Sequence, residues 1–155
     1  MEHRRSQGIV KDKSFRSAMQ IVGYIHRQQK DRVNLVLSRQ LLRSGTSIRA
    51  TVGEALRGQS SKGFISKLAI AAKEAREAGY WLRLIRETQP HNHPELADLL
   101  AKCGELVKML NSIILTTRRK RAVADSRVQL RTHNSELGEA VDSEPRTHNS
   151  ELPGT

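Results

Sequence analysis

The sequence is poor in several residue types, and each shortage excludes something. Among 155 residues there is one cysteine, Cys103, so no intrachain disulfide can form, which fits a reducing compartment. Aromatic residues make up 3% of the chain, poor material for a β-sandwich, which leans on aromatic and β-branched strands. No apolar stretch approaches the ~20 residues of a membrane span. The opening Met1-Glu2-His3-Arg4-Arg5 runs into polar residues, so no secretory signal is expected. There is no glycine-rich phosphate loop, nucleophile elbow or paired-carboxylate motif. These absences point to a soluble, cytoplasmic, non-membrane protein that is not an enzyme and carries no cofactor.

Two groups of chemically capable residues resolve the same way. His91, His93 and Glu95 lie close together, but no fourth ligand follows at a recognisable spacing, and structural zinc sites take four. No metal is expected. Cys103 falls on an apolar helical stripe, where a thiol behaves as a small buried hydrophobe rather than a nucleophile.

Positive charge and helical periodicity are abundant. The formal net charge is +11. Residues 1–121 hold 24 Lys and Arg against 10 Asp and Glu, a net of +14, and residues 122–155 hold 3 against 6, a net of −3. A basic body attracts polyanions, RNA or DNA above all.

Four helices are predicted. In residues 12–30, Phe15, Met19, Val22 and Ile25 recur at three- and four-residue steps. A second helix spans about 33–57 and stops at Gly58, a frequent C-terminal residue. Ser60 and Ser61 offer an N-cap for a third helix over 62–88. After the loop Gln89-Pro90-His91-Asn92-His93, Pro94 opens a fourth over about 94–120, with Leu96, Leu99, Cys103, Leu106, Leu110, Ile113 and Ile114 in a near-heptad stripe. Long helices on short loops give an all-α, up-down-up-down four-helix bundle. The expected organisation is a flexible basic lead-in at 1–11, the bundle at 12–121, and a disordered polar tail at 122–155. Within that tail Arg131-Thr132-His133-Asn134-Ser135-Glu136-Leu137 recurs as Arg146-Thr147-His148-Asn149-Ser150-Glu151-Leu152.

The helix faces carry the functional signal. At ~100° per residue, Arg32, Arg39, Arg43 and Arg57 fall within about 40° of one another, roughly opposite Leu37, Leu41, Ile48, Val52 and Ala55. Lys62 and Lys67 follow the turn, and Arg118, Arg119, Lys120 and Arg121 close the fourth helix. Arginine's planar fork suits phosphate; a solvated face without a ligand is the alternative. Small residues crowd the second helix between Ser44 and Ala55, allowing another helix to approach closely and offsetting the ~1 kcal/mol cost of each interior glycine. Glu54 among them is expected in an ion pair with a nearby arginine. On the third helix Phe64, Leu68, Ala72, Ala75 and Leu82 form one apolar face, and Ile70, Trp81 and Ile85 a second. That second face fits burial against another subunit; Trp81 at the edge of a single-domain core is the alternative.

The run Gln40-Leu41-Leu42-Arg43-Ser44-Gly45-Thr46-Ser47-Ile48-Arg49-Ala50-Thr51-Val52-Gly53-Glu54-Ala55 resembles the signature of the bacterial four helix bundle protein family, found as products of intervening sequences in large-subunit ribosomal RNA genes, and the segment from Ser61 to Ile85 agrees with it. The resemblance covers about residues 12–120. Arg49 stands where many members have proline and Thr51 where many have asparagine. The family includes the accessory variability determinant of diversity-generating retroelements. That resemblance implies a homopentameric barrel of bundles that binds template RNA and the element's reverse transcriptase during mutagenic copying. The phosphate contacts would then fall to Arg32, Arg39, Arg43, Arg57, Arg118, Arg119 and Lys120. A different class of function is a structural or protein-interaction bundle of the intervening-sequence type with no nucleic-acid role.

Overall fold

The computed structural model describes residues 2–28, 32–89 and 94–142, with side chains at 5–28, 33–89 and 94–135. The described residues form four α-helices: α1 (Glu2–Arg27), α2 (Arg32–Arg57), α3 (Ser61–Thr88) and α4 (Pro94–Asp142). The chain divides into two units, Met1–Arg118 and Arg119–Thr155.

In the first unit all four helices share one apolar interior. Ile21 and Tyr24 of α1, Leu41 and Ile48 of α2, Ala78 and Leu82 of α3, and Leu99 and Cys103 of α4 meet in one cluster. Val10, Val52, Leu68 and Leu110, again one from each helix, meet in a second. Ion pairs along the seams give the neighbours: Lys13–Glu105 and Arg27–Glu95 join α1 to α4, while Arg43–Glu77 and Lys67–Glu54 join α2 to α3. This is the bundle that the periodicity predicts. One end is tied by Gln89, whose amide donates to Gln28 Oε1 at 3.4 Å and Asn34 Oδ1 at 3.5 Å while its oxygen accepts from the buried Tyr24 hydroxyl at 3.4 Å.

Local chemistry sets the helix ends and the close approaches. Ser60, in an extended conformation, accepts a 3.0 Å bond from Gly63 N and so occupies one of the orphan N–H groups that open α3. A Cβ on Gly45 would meet Ile21 Cδ1 at 2.6 Å and Cγ2 at 3.2 Å. The small residues of α2 thus let α1 pack closely at that point. The hydroxyls of Ser44 and Thr46 return to the carbonyls of Gln40 and Leu42 at 3.0 and 2.7 Å, which makes them compatible with a helix interior.

Two expectations are corrected. The helical start lies at Glu2, not near residue 12, and Val10 is buried against Val52 and Leu110, so the lead-in belongs to the bundle. The core face of α1 is Val10, Ser14, Ser17, Ala18, Ile21 and Tyr24, while Phe15 and Met19, which mark the helical period, are 53% and 58% exposed. Two serines fit that face because they are small, and Ser14 satisfies its hydroxyl on Lys11 O at 2.9 Å. Finally, α4 continues to Asp142 instead of ending near Lys120. In the second unit residues 119–135 are exposed throughout, as a segment with little to bury must be. Its helix rests on local bonds, Arg121 with Asp125 at 3.6 Å and the Ser126 and Thr132 hydroxyls to carbonyls one turn back. No proline interrupts it before Pro145. The first copy of the repeated heptapeptide lies in this helix; the second, Arg146 to Leu152, lies outside the described residues.

Candidate functional site

The cations divide into those with an anionic partner and those without. Arg43 is exposed but bridges to Glu77, and Lys67 bridges to Glu54. The Lys67 ammonium, through its hydrogen bond and its charge, holds the Glu54 carboxyl below its ordinary range, with a weaker pull from Arg57. Glu54 is therefore in an ion pair, with Lys67 in place of the expected arginine. Arg39, Arg57, Lys62 and Arg118 are exposed and make no ion pair among the described residues. Arg119, Lys120 and Arg121, in the second unit, are exposed, Arg121 beside Asp125. The Arg32 side chain lies outside the described residues, as do His91 and His93; Glu95 is engaged by Arg27. Among the described residues no three His, Cys, Asp or Glu gather into a metal cluster, and no helix is long and apolar enough to cross a membrane.

The three residues expected at an oligomer contact separate. Ile85 is 2% exposed inside its own bundle, packed with Leu82 and Leu96. It cannot meet another subunit, because its position on α3 faces the protomer's core. Trp81 is half-buried against that core, and its indole N–H donates to Glu77 Oε1 at 3.4 Å. Ile70 is 42% exposed.

A larger apolar surface lies elsewhere. On a regular helix Phe15, Met19 and Val22 fall within about 60° of one another and roughly opposite Lys13 and Arg27, which pair with α4. They therefore flank α2. Leu35 and Leu42 are exposed on the flank of α2 turned away from Arg43 and Glu54, its α3-facing pair residues. The outer surface of α1 and α2 thus carries Phe15, Met19, Val22, Leu42 and Leu35 as a stripe bordered by the small residues Thr46, Ala50 and Gly53. Arg49 is half-buried beside it, its Nη1 where a Gly53 Cβ would stand 2.8 Å away.

Between α3 and α4 runs a trough of about 510 Å³. Its floor is apolar, with Ala75, Gly79, Leu100 and Gly104, and Arg76, Tyr80, Arg83 and Lys108 stand around it. Gly79 brings the helices close, since a Cβ there would lie 3.9 Å from Cys103 Cβ; above Gly104 nothing lies within 4 Å. Tyr80 is 58% exposed and meets the Trp81 ring edge-on, centroids 4.9 Å apart at 71°. None of Arg76, Arg83 and Lys108 has an ion-pair partner among the described residues. Sequence reasoning passed over this set, although Arg76, Tyr80 and Arg83 recur at i, i+4 and i+7, a spacing that puts them on one flank.

Beneath the trough, Cys103 is buried. Desolvation raises its thiol to about 11, against a smaller lowering from the Ser17 hydroxyl. A thiol so placed is protonated and inert at neutral pH.

The model of the 23S rRNA-intervening sequence protein family matches residues 6–112. The chain belongs to that family. A solved structure from Bacteroides thetaiotaomicron, described as a protein of unknown function from the S23 ribosomal protein family, is 40% identical, with a TM-score of 0.66 over 70% of this chain and 97% of that one. No curated protein matches. Membership of the intervening-sequence family agrees with the resemblance drawn from residues 40–55 and 61–85. Nothing in these matches names a retroelement, so of the two functions that resemblance suggested, the interaction bundle of the intervening-sequence type is the better supported. Arg49 lies within a helix that runs unbroken from Arg32 to Arg57.

Proposed function

We propose that this chain is a non-catalytic interaction module of the intervening-sequence type, and that it docks a second copy of itself through the outer face of α1 and α2. The observation that carries this reading is the exposure of Phe15 and Met19, at 53% and 58%, on one stripe with Leu42 and Leu35. An apolar stripe of this kind, rimmed by polar residues, marks a protein-interaction surface. Along this stripe the neighbours include Thr46, Ala50 and Gly53, Arg49 is folded down onto Gly53, and the exposed cations Lys11 and Arg39 stand beside it. Small residues on α2 admit a partner helix at short range.

Light scattering on the purified protein tests the reading. The expected result is an oligomer that Phe15→Glu with Met19→Glu converts to a monomer of unchanged helicity. A wild-type monomer at micromolar concentration, or an oligomer that ignores both substitutions, would overturn it. The narrower retroelement reading asks for a pentamer that retains a reverse transcriptase; the same masses bear on the subunit number, and co-purification with a reverse transcriptase on the partner. Family membership supports only the broader reading, which we adopt.

A further inference from the structure

We propose that the trough between α3 and α4 is a binding site for single-stranded nucleic acid, with Arg76, Arg83 and Lys108 holding phosphates and Tyr80 stacking a base. The first support is how charge is distributed over the surface. Lys13, Arg27 and Lys102 are each taken up by a carboxylate, as are Arg43 and Lys67. Around the α3–α4 trough three cations stand with no carboxylate to neutralise them. Arg39, Arg57, Lys62 and Arg118 are also without an ion pair among the described residues, but here three such cations ring one trough, which makes it electrostatically complementary to an anion.

The second support is the shape and chemistry of the trough. A phosphate site alone needs no apolar floor, yet this one is floored by Ala75, Leu100 and two glycines, with open space above Gly104. Apolar floor, exposed aromatic ring and flanking cations together suit an unpaired strand. Its backbone tracks the positive charge while a base lies on the ring. Tyr80 is a prepared platform: Trp81 holds its ring edge-on, and Trp81 is itself held by the core and by Glu77. A duplex keeps its bases stacked inside and offers Tyr80 nothing. The seven-residue step from Arg76 to Arg83 spans about 10 Å along α3, enough to reach more than one phosphate of an extended strand. The site is distinct from the α1–α2 face, does not depend on self-association, and adds a nucleic-acid role that the intervening-sequence reading by itself does not include.

The test is fluorescence anisotropy of the full chain with a labelled oligothymidylate of about twelve nucleotides and with a duplex of equal length. We expect the single strand to bind more tightly, with a log–log salt slope near −2 for about three phosphate contacts. Tyr80→Ala should weaken binding by about fivefold or more, the loss of one stacked base, whereas Tyr80→Phe should stay within about twofold because the ring is kept. Arg76→Glu with Arg83→Glu should weaken binding far more than Arg39→Glu with Arg57→Glu, which changes net charge equally on α2. Equal losses from the two pairs would overturn the site, because binding would then follow overall charge. So would tighter binding of the duplex with no effect of Tyr80→Ala. Displacement of the strand by an acidic peptide, with Tyr80→Ala still neutral, would assign the trough to an acidic protein and overturn the proposal. Loss of the self-association reading would leave these outcomes untouched, since the monomeric Phe15→Glu, Met19→Glu chain should bind the strand as the wild type does.

Discussion

Two glycines of α2, eight residues apart, put one substitution in two environments. Alanine in a helix interior is better than glycine by about 1 kcal/mol. At Gly53 the new methyl would meet only the end of the Arg49 side chain, which can swing aside. At Gly45 it would enter Ile21, a buried β-branched side chain stiff at χ1. We therefore expect Gly53→Ala to raise the unfolding free energy by up to about 1 kcal/mol and Gly45→Ala to lower it by about 1–3 kcal/mol, the range for overpacking a core, both read by chemical denaturation. Stabilisation at Gly45 would mean that α1 does not press against α2 there. Cys103 gives a second test. Its thiol is raised to about 11 in the fold from 9.0, so both states keep the proton below pH 9, and above it the unfolded chain ionises first. Stability should fall as pH rises from about 9 to 11, by roughly 2–3 kcal/mol, and burial pushes Tyr24 in the same direction. Cys103→Ala should flatten the larger part of that slope; an unchanged slope would mean the thiol is hydrated in the native state.

At the scale of the helix, caps and faces have different legibility. The start of α3 could be read from two serines, and the structure uses one: Ser60 accepts from Gly63 N. Ser60→Ala should cost about 1 kcal/mol, and Ser61→Ala, at the first helical residue and exposed, only a few tenths, both by thermal melting with the unfolding enthalpy measured. The faces of α2, α3 and α4 were also legible, because Leu41, Ile48, Phe64, Leu68, Leu99 and Leu106 lie where the 3.6-residue period puts a core. Those of α1 were not. Phe15 and Met19 are the larger hydrophobes, so they attract a core assignment, but the helix buries the stripe with Ser14, Ser17 and Ala18 because its neighbours lie close there. Ile85 shows the reverse error: a residue assigned to a second face is in the core. A single helix read alone cannot say which of two apolar stripes its neighbours cover. The extension of α4 to Asp142 is not legible in the sequence, because a segment with little to bury shows no apolar period whether or not it is helical.

For the whole molecule, the excess of positive charge was plain in composition, but where it stays unneutralised depends on which carboxylates each helix presents to its neighbour, and that is decided by packing. One consequence separates the two proposed surfaces. Copies of a +11 chain repel each other, and salt screens that repulsion, with a Debye length near 10 Å at 0.1 M. An apolar contact between copies should therefore hold or strengthen as salt rises from about 50 to 200 mM. The strand on the α3–α4 trough releases counterions and should weaken over the same range, with a slope near −2. One protein in one salt series, followed by light scattering and by anisotropy, should give trends of opposite sign. Dissociation of the oligomer by salt would instead place ion pairs between the copies, and the apolar stripe of Phe15, Met19 and Leu42 would lose its role.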